Sequence, residues 1–202
     1  MSLAPPASAW RAVRLAALAL LIIAGGAIVL IAAGAFDPLP GSPPTQATAP
    51  GPLSLPGRGE ALYPQPSPFA GTPQHSWLRL TAAWQAGELD SAYGLRLGDE
   101  NNGLTVAVSP LGYATVWASS AGETIELMPW QTWPHVYSGD EANEIWLEIW
   151  RSDDRAQVAA WVNRELLWQG NVAPLPPGAA LWLASFGNPV TVEYRALEWW
   201  EA

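Results

Sequence analysis

The arrangement of apolar and polar residues divides the chain into three parts. Residues 15–36 form an apolar block without a charged residue, and residues 37–75 show no apolar periodicity. From residue 76 onward, apolar residues alternate with polar ones in short runs that turn-forming residues interrupt. A long apolar block is typical of a helix, and alternation is typical of strands. The pattern therefore predicts a helix, a linker and an all-β domain.

The apolar block predicts a transmembrane helix. It is 22 residues long, and a helix of that length extends about 33 Å, close to the roughly 30 Å of a hydrocarbon core. Arg11 and Arg14 precede the block and Asp37 follows it. The positive-inside rule then places residues 1–14 in the cytoplasm and the domain outside it. The absence of lysine, with many alanines and arginines, indicates a bacterial source, so we expect a single-pass protein in the lipid bilayer of the bacterial cytoplasmic membrane.

A cleaved signal peptide is the alternative interpretation of the same block. It would use the two arginines, the apolar run and cleavage in Ala33-Gly34-Ala35, after Ala35. The apolar run is longer than the usual signal-peptide core of about 7–15 residues, which favours a retained anchor. Both interpretations place the rest of the chain outside the cytoplasm.

Residues 37–75 predict a linker. Eleven prolines lie between Pro38 and His75, together with glycines and serines. Such a segment cannot bury enough apolar surface to fold by itself and favours extended polyproline II. We therefore expect a spacer; an ordered segment would need something else to hold it.

Residues 76–202 predict about ten short strands, with no amphipathic helix between them. Turn formers separate the strands, for example Asp99-Glu100-Asn101-Asn102-Gly103 and Pro110-Leu111-Gly112. Strands of this length and spacing indicate an antiparallel β-sandwich or jelly roll. The predicted strands are 77–84, 92–98, 104–109, 113–119, 124–128, 144–151, 157–162, 165–169, 181–186 and 190–199.

Several local patterns occur in a fixed order along this domain. They are Tyr93-Gly94-Leu95, the turn 99–102, the strand 104–109, the hairpin 109–113, the runs 143–147 and 160–166, Pro177-Gly178, and the strand 190–197. In this order they resemble the concanavalin A-like jelly roll of lectins and glucanases, particularly its laminin-G-like and keto-disaccharide-hydrolase-like bacterial branches. Arg164 departs from the family, which usually has glycine after the hairpin asparagine. The resemblance implies a fold and no single activity, because its members include lectins, glycosidases and assembly modules.

The strand 144–151 predicts a candidate binding surface. Alternation places Asn143, Ile145, Leu147 and Ile149 toward the core, and Glu144, Trp146, Glu148 and Trp150 on the other face. We expect this second face to be partly exposed, with Trp161 continuing it on a neighbouring strand and Trp200 exposed at the end of the chain. Indoles beside carboxylates suit sugar rings and protein interfaces equally. Most of the thirteen tryptophans are expected to fill the core instead.

The composition excludes several other kinds of site. A net charge of −9 disfavours nucleic acid, and the absence of cysteine excludes disulfides and thiol chemistry. His75 and His135 are the two histidines and have no neighbouring metal-ligand pattern. The resemblance implies calcium as an option, and the acidic turns 99–102, 140–141 and 153–154 are rich in oxygen, but none has a calcium-loop spacing. We therefore predict turn chemistry there and no cofactor.

Three functions remain. A glycosidase would need two carboxyls about 5 Å apart. Glu144 and Glu148 lie four residues apart on one strand, which is about 13 Å by strand rise. A laminarinase-type motif would also need an acidic residue at the position of Trp146. We therefore predict no enzyme. The first prediction is a membrane-anchored, non-catalytic interaction module, an accessory subunit of a membrane complex. The alternative is a cell-surface carbohydrate-binding module, and its partner is a glycan instead of other membrane subunits.

Overall fold

The computed structural model describes residues 7–32, 40–67, 69 and 71–201. The chain separates into two compact units, residues 1–39 and residues 40–202. The first contains the helix, and the second contains every strand. The helix and the strands therefore belong to separate units.

The helix α1 spans Ala7–Ala32, so it begins earlier than the apolar block does. Arg11 and Arg14 lie within it, which alanine, leucine and arginine permit because all three favour helix. The side chains of residues 13–29 are exposed. Among the residues that the structure describes, no helix is long and apolar enough to cross a membrane. The predicted cleavage site at Ala35 and the end of the predicted span lie outside the described residues.

The described residues of the second unit form thirteen strands, and all ten predicted strands are present. Their bounds differ from the predicted ones by a few residues at most ends, usually because the strands are longer. The strands are β1 Gln46–Thr48, β2 Gly51–Leu55, β3 Gly59–Gln65, β4 His75–Gly87, β5 Ser91–Gly98, β6 Gly103–Val108, β7 Tyr113–Ser120, β8 Glu123–Thr132, β9 Asn143–Arg151, β10 Ala156–Val162, β11 Glu165–Val172, β12 Ala179–Ser185 and β13 Val190–Glu201.

These strands form two antiparallel sheets. The seven-stranded sheet has the order β1-β13-β4-β9-β10-β11, with β2 also paired to β13, and the six-stranded sheet has the order β3-β12-β5-β6-β7-β8. All pairings recorded between these strands are antiparallel. The predicted all-β antiparallel sandwich is therefore confirmed.

The proline-rich segment is not only a spacer, which corrects the predicted linker 37–75. Its strands β1 and β2 pair with β13, and β3 pairs with β12. The prediction rested on whether this segment could fold by itself, but edges of two existing sheets supply its hydrogen-bond partners. Edge strands tolerate proline, and Pro52 and Pro64 stand in two such strands.

The core lies between the inner faces of the two sheets. As predicted, Ile145, Leu147 and Ile149 of β9 point into it and are buried. Asn143 is also fully buried, and its side-chain amide donates to the hydroxyl of Tyr93 at 2.9 Å and to the carbonyl of Tyr137 at 2.9 Å. Buried polar groups need such partners. Burial raises the pKa of Tyr93 to about 12.

The hairpin between β10 and β11 accommodates Arg164, the position at which the resemblance predicted glycine. Asn163 and Arg164 both have positive φ, 50° and 73°, as a type I′ turn requires. Asparagine tolerates this region, whereas arginine is unusual there. The departure therefore affects the turn and leaves the strands paired.

Candidate functional site

The residues predicted to form a surface lie together on the outer face of the seven-stranded sheet. Trp146 of β9 stands opposite Arg79 of β4 on one side and opposite Trp161 of β10 on the other. In the next row, Trp77 of β4 stands between Glu148 of β9 and Trp200 of β13. Trp161 thus lies directly beside Trp146, and Trp200 belongs to the same face.

Four of the five indoles of this face, Trp77, Trp146, Trp161 and Trp200, pack on one another and are called the tryptophan cluster, and the half-buried Trp150 packs against them. Trp77 stacks on Trp161 and Trp146 stacks on Trp200, each with 5.5 Å between ring centroids. The two stacks meet edge to face through Trp77 and Trp146 at 6.4 Å. Trp146 and Trp200 are 4% exposed and Trp161 is 9% exposed. The prediction that these indoles are partly exposed is therefore wrong, because rings from four neighbouring strands cover each other.

Arg79 closes the cluster from outside, and sequence reasoning missed it. Its guanidinium lies 4.9 Å from the ring centre of Trp146 and 6.0 Å from that of Trp200. The same guanidinium pairs with Glu198 and lies 3.8 Å from Glu144. Alternation of Trp77 and Arg79 on one strand was visible in the sequence, but the two ring partners come from strands that are far away along the chain and pair with β4 only in the folded sheet. The cation is thus held by π faces and by carboxylates together.

His75 and Glu148 form a polar pair at the border of the cluster. The Nε2 atom of His75 lies 2.9 Å from Oε1 of Glu148, and its ring stacks on Trp150 with 5.1 Å between centroids. Burial raises the pKa of the Glu148 carboxyl, while the hydrogen bond and charge of His75 act in the opposite direction. The histidine that the sequence placed at a linker end is therefore part of this face.

The two predicted carboxylates of β9 are both occupied by neighbours. Glu144 accepts a hydrogen bond from the indole Nε1 of Trp146 at 3.1 Å and faces Arg79, while Glu148 pairs with His75. Their side chains point to one face, as predicted, but each has its own partner. This outer face has the residue types of a sugar site. Its indoles, however, expose little surface on which a sugar could pack.

A groove of about 480 Å³ lies on the outer face of the six-stranded sheet. The half-buried indole of Trp117 meets Trp182 edge to face there, with 5.0 Å between ring centroids. The indole Nε1 of Trp182 donates to a carboxylate oxygen of Glu60 at 3.3 Å. Glu60 and Glu100 are exposed along the groove. An indole surface and exposed carboxylates therefore share one groove.

Arg96 forms part of the groove wall and is held rigidly. Its guanidinium donates to the hydroxyls of Thr105 and Ser119 and to the backbone carbonyls of Asp99 and Glu100, at 2.7–3.1 Å. Burial lowers the pKa of Arg96, and the charges of Asp99, Glu60 and Glu100 oppose that shift. No hydrogen bond from the Arg96 guanidinium to a carboxylate occurs among the described residues. Neutral acceptors and carboxylates at longer range therefore stabilise its charge.

A second groove, of about 570 Å³, adjoins the first. The two share Leu62, Arg96 and Glu100 as lining residues. The second continues along Pro64, Gln65 and Thr72. Both volumes are in the range of about 300–1,000 Å³ that small-molecule sites occupy. Together they offer an extended groove with indole, amide and carboxylate groups along it.

Sequence reasoning missed this groove for a specific reason. The sequence placed Trp117 and Trp182 on strands. Which strands lie beside them depends on the strand pairing, and the sequence does not give that pairing. β7 is separated from β12 by β6 and β5, so the contact between the two indoles crosses several strands. The buried arginine in Leu95-Arg96-Leu97 was the available signal, because an arginine inside an apolar run needs nearby acceptors.

The carboxylates of two acidic turns accept hydrogen bonds from within their own turns. The carboxylate of Asp99 accepts hydrogen bonds from the backbone amides of Asn101 and Asn102 at 2.9 and 2.7 Å. Asp154 accepts from the hydroxyl of Ser152 at 2.9 Å. Within the part of the chain that the structure describes, no group of three acidic or histidine side chains could hold a metal ion. These hydrogen bonds are the turn chemistry that the sequence predicted.

Comparison with known proteins gives structural likeness only. No protein-family model matches the sequence, and no curated protein matches it. The structure is similar to a glycosidic hydrolase, with a TM-score of 0.48, 11% identity and coverage of 64% of this chain. It covers 66% of that hydrolase, just under two thirds of its length.

A galectin and a carbohydrate-binding module are similar in structure as well. The galectin LEC-6 of Caenorhabditis elegans has a TM-score of 0.43 and 15% identity, over 70% of this chain and 95% of the galectin. The carbohydrate-binding module CBM66 of Bacillus subtilis has a TM-score of 0.40 and 10% identity, over 74% of this chain and 83% of the module. At these scores, none of the three likenesses carries an argument about what this chain binds.

Proposed function

We propose that the sandwich is a carbohydrate-binding module and that sugar binds in the groove of the six-stranded sheet. The observation that carries this proposal is the half-buried indole of Trp117 beside the exposed carboxylates of Glu60 and Glu100. A sugar ring has an apolar face that packs on an indole and hydroxyls that donate to carboxylates. The same residue types on the other sheet are already occupied by one another.

The rigidity of the groove supports this proposal. Arg96 is fixed by acceptors on three chain segments, and the Trp182 indole is fixed by Glu60. A site whose side chains are held in place loses less conformational entropy on binding. The groove can therefore receive a ligand without first being ordered.

We also propose that the domain is not an enzyme. The carboxylates predicted as an unsuitable catalytic pair, Glu144 and Glu148, each serve a structural neighbour, Trp146 and His75 respectively. The relation to the concanavalin A-like jelly roll stays part of this proposal, supported by the order of the sequence patterns and by two stacked antiparallel sheets. Incubation with the oligosaccharide that binds best, followed by product analysis, tests the absence of hydrolysis.

The binding proposal is tested by a glycan array, followed by calorimetry with the best ligand. Trp117→Ala should weaken binding about tenfold, since it removes the stacking surface. Trp150→Ala, which removes an indole from the other sheet, is the matched control and should leave affinity unchanged. Silence across the array would refute glycan binding, whereas equal affinity in Trp117→Ala would move the sugar away from this groove.

A membrane-anchored accessory role is a second candidate. The favouring observation is the exposure of apolar side chains along α1, including Leu15, Leu21, Ile23 and Val29, at 66–70%. Apolar surface of this extent calls for a cover, which a bilayer or another subunit would supply. Localisation at a bacterial cytoplasmic membrane, with the sandwich outside, stays a prediction. Fractionation of cells and mild-detergent extraction of the membranes test it. Recovery of the protein in the fraction without membranes would exclude the anchor. Migration of the extracted protein without other subunits would exclude the complex.

A further inference from the structure

A separate cavity of about 390 Å³ lies at the end of the six-stranded sheet where β12 ends and β5 begins. It shares no lining residue with the two grooves. Its wall is mostly apolar, with one carboxylate, two serine hydroxyls and one tyrosine hydroxyl. The lining residues are Asp90, Ser91, Ser109, Leu111, Tyr113, Trp130 and Phe186.

The apolar side chains of this wall are unusually exposed. Trp130 and Tyr113 are 39% exposed, Phe186 45% and Leu111 47%. Monomeric proteins rarely gather large apolar side chains in one exposed patch without a binding role. The ring contacts among the described residues join none of the three aromatic rings to another. The rings therefore border the cavity without filling it by stacking, unlike the tryptophan cluster.

The charge at this cavity is negative. Asp90 is exposed, and its carboxylate makes no hydrogen bond or ion pair with any residue that the structure describes. Glu88 lies in the same turn, and no arginine lines the wall. An anionic ligand would meet repulsion here, and a neutral apolar ligand would leave the carboxylate unused. A cation with an apolar surface would use both features.

The frame of the cavity is fixed by backbone hydrogen bonds. The amide of Phe186 donates to the carbonyl of Asp90 at 3.0 Å, which joins the ends of two strands. The amide of Leu111 donates to the hydroxyl of Ser109 at 3.2 Å, and the amide of Ser109 donates to the carbonyl of Tyr113 at 2.9 Å. The backbone of five of the seven lining residues is thus fixed around one space.

We propose that this cavity binds an alkylammonium group, with quaternary ammonium the preferred form. Aromatic faces attract such cations through their quadrupoles, with Trp the strongest of the three rings. A nearby carboxylate adds direct charge attraction, and methyl groups on nitrogen fit an apolar wall. The proposal is independent of sugar binding, because it uses a different cavity and a different ligand chemistry.

The test compares choline with 3,3-dimethylbutan-1-ol, its neutral analogue of the same shape, by calorimetry on the full chain. Choline should bind at least about fivefold more tightly than the alcohol. Trp130→Leu and Asp90→Asn should each weaken choline binding about fivefold. Tyr137→Leu, which removes an equally exposed aromatic ring outside the cavity (47% exposed), should leave it unchanged.

Equal affinity for the alcohol would overturn the proposal, because the cavity would then recognise shape and apolarity only. Absence of choline binding, or binding that both variants retain, would overturn it as well. Where choline binds as expected, sedimentation with phosphatidylcholine vesicles, compared with phosphatidylglycerol vesicles, identifies the source. Pelleting with the first alone indicates a lipid headgroup, and absence of pelleting indicates a free or protein-borne ammonium group; both results keep the proposal.

Discussion

The two outer faces of the sandwich carry similar residues and use them in opposite ways. On the seven-stranded sheet, four indoles stack in two pairs and Arg79 closes them with Glu144 and Glu198. On the six-stranded sheet, Trp117 and Trp182 touch once, and Glu60 and Glu100 remain exposed along a groove. The first face satisfies its aromatic and charged groups internally. The second, called the open face in contrast to the closed first face, leaves the Trp117 ring half-buried and both carboxylates exposed, and so binding is proposed there.

The largest expected effect comes from opening the tryptophan cluster. Trp146→Ala should lower the free energy of unfolding by about 3–5 kcal/mol, since it removes a buried ring that contacts two indoles and a cation. Trp117→Ala, the counterpart on the open face, should lower it by about 1–2 kcal/mol because that ring is only half-buried. Urea unfolding of both variants measures the difference. Similar losses in the two variants would show that the faces are equally closed.

The contrast between the two faces also shows which properties of a face can be predicted from the sequence. Alternation along β9 placed Glu144, Trp146, Glu148 and Trp150 on one face, because the side-chain period of a strand is two. It could not give their exposure, which depends on the rings that β4, β10 and β13 bring beside them. Local periodicity therefore predicts which residues share a face, and long-range pairing decides whether that face is open.

The same limit applies to the strands that were missed. β1, β2 and β3 lack apolar alternation of the usual kind, and two of them contain proline, so the sequence indicated a spacer. They are strands because edges of β13 and β12 are available to them. No local signal reports such an edge, since it exists only when the rest of the sandwich has folded.

The second prediction concerns the arginine of the open face. Arg96→Met should lower the free energy of unfolding by about 3 kcal/mol, because two buried hydroxyls and two part-buried backbone carbonyls lose their donor. The loss should be nearly the same at low and at high salt concentration, since the lost partners are neutral and salt screens only charges. Urea unfolding at both salt concentrations measures it. A loss that shrinks strongly in high salt would show that the charges of Glu60 and Glu100 dominate instead.

Arg79 of the closed face should behave differently. Arg79→Met should lower the free energy of unfolding by about 1–2 kcal/mol, because it removes both a partly exposed ion pair and the cation–π contacts. This loss should decrease at high salt, because Glu144 and Glu198 are its charged partners. Arg195→Met, which removes an exposed arginine paired with Glu193, controls for the change in net charge. A loss independent of salt would assign the role of Arg79 to the indole contacts alone.

The smallest effect is expected from Glu148, the carboxyl at the border of the closed face. Burial raises the pKa of Glu148 above its ordinary value of 4.5, so the folded chain keeps a proton that the unfolded chain has already released. The stability of the wild type relative to Glu148→Gln should therefore be constant below that value, fall as pH rises above it, and level off beyond the raised pKa. Urea unfolding in steps of pH measures this difference, with Glu165→Gln controlling for the loss of an exposed carboxyl. A difference that rises with pH would mean that the contact with His75 outweighs burial, and that even the closed face keeps one ionised pair accessible to water.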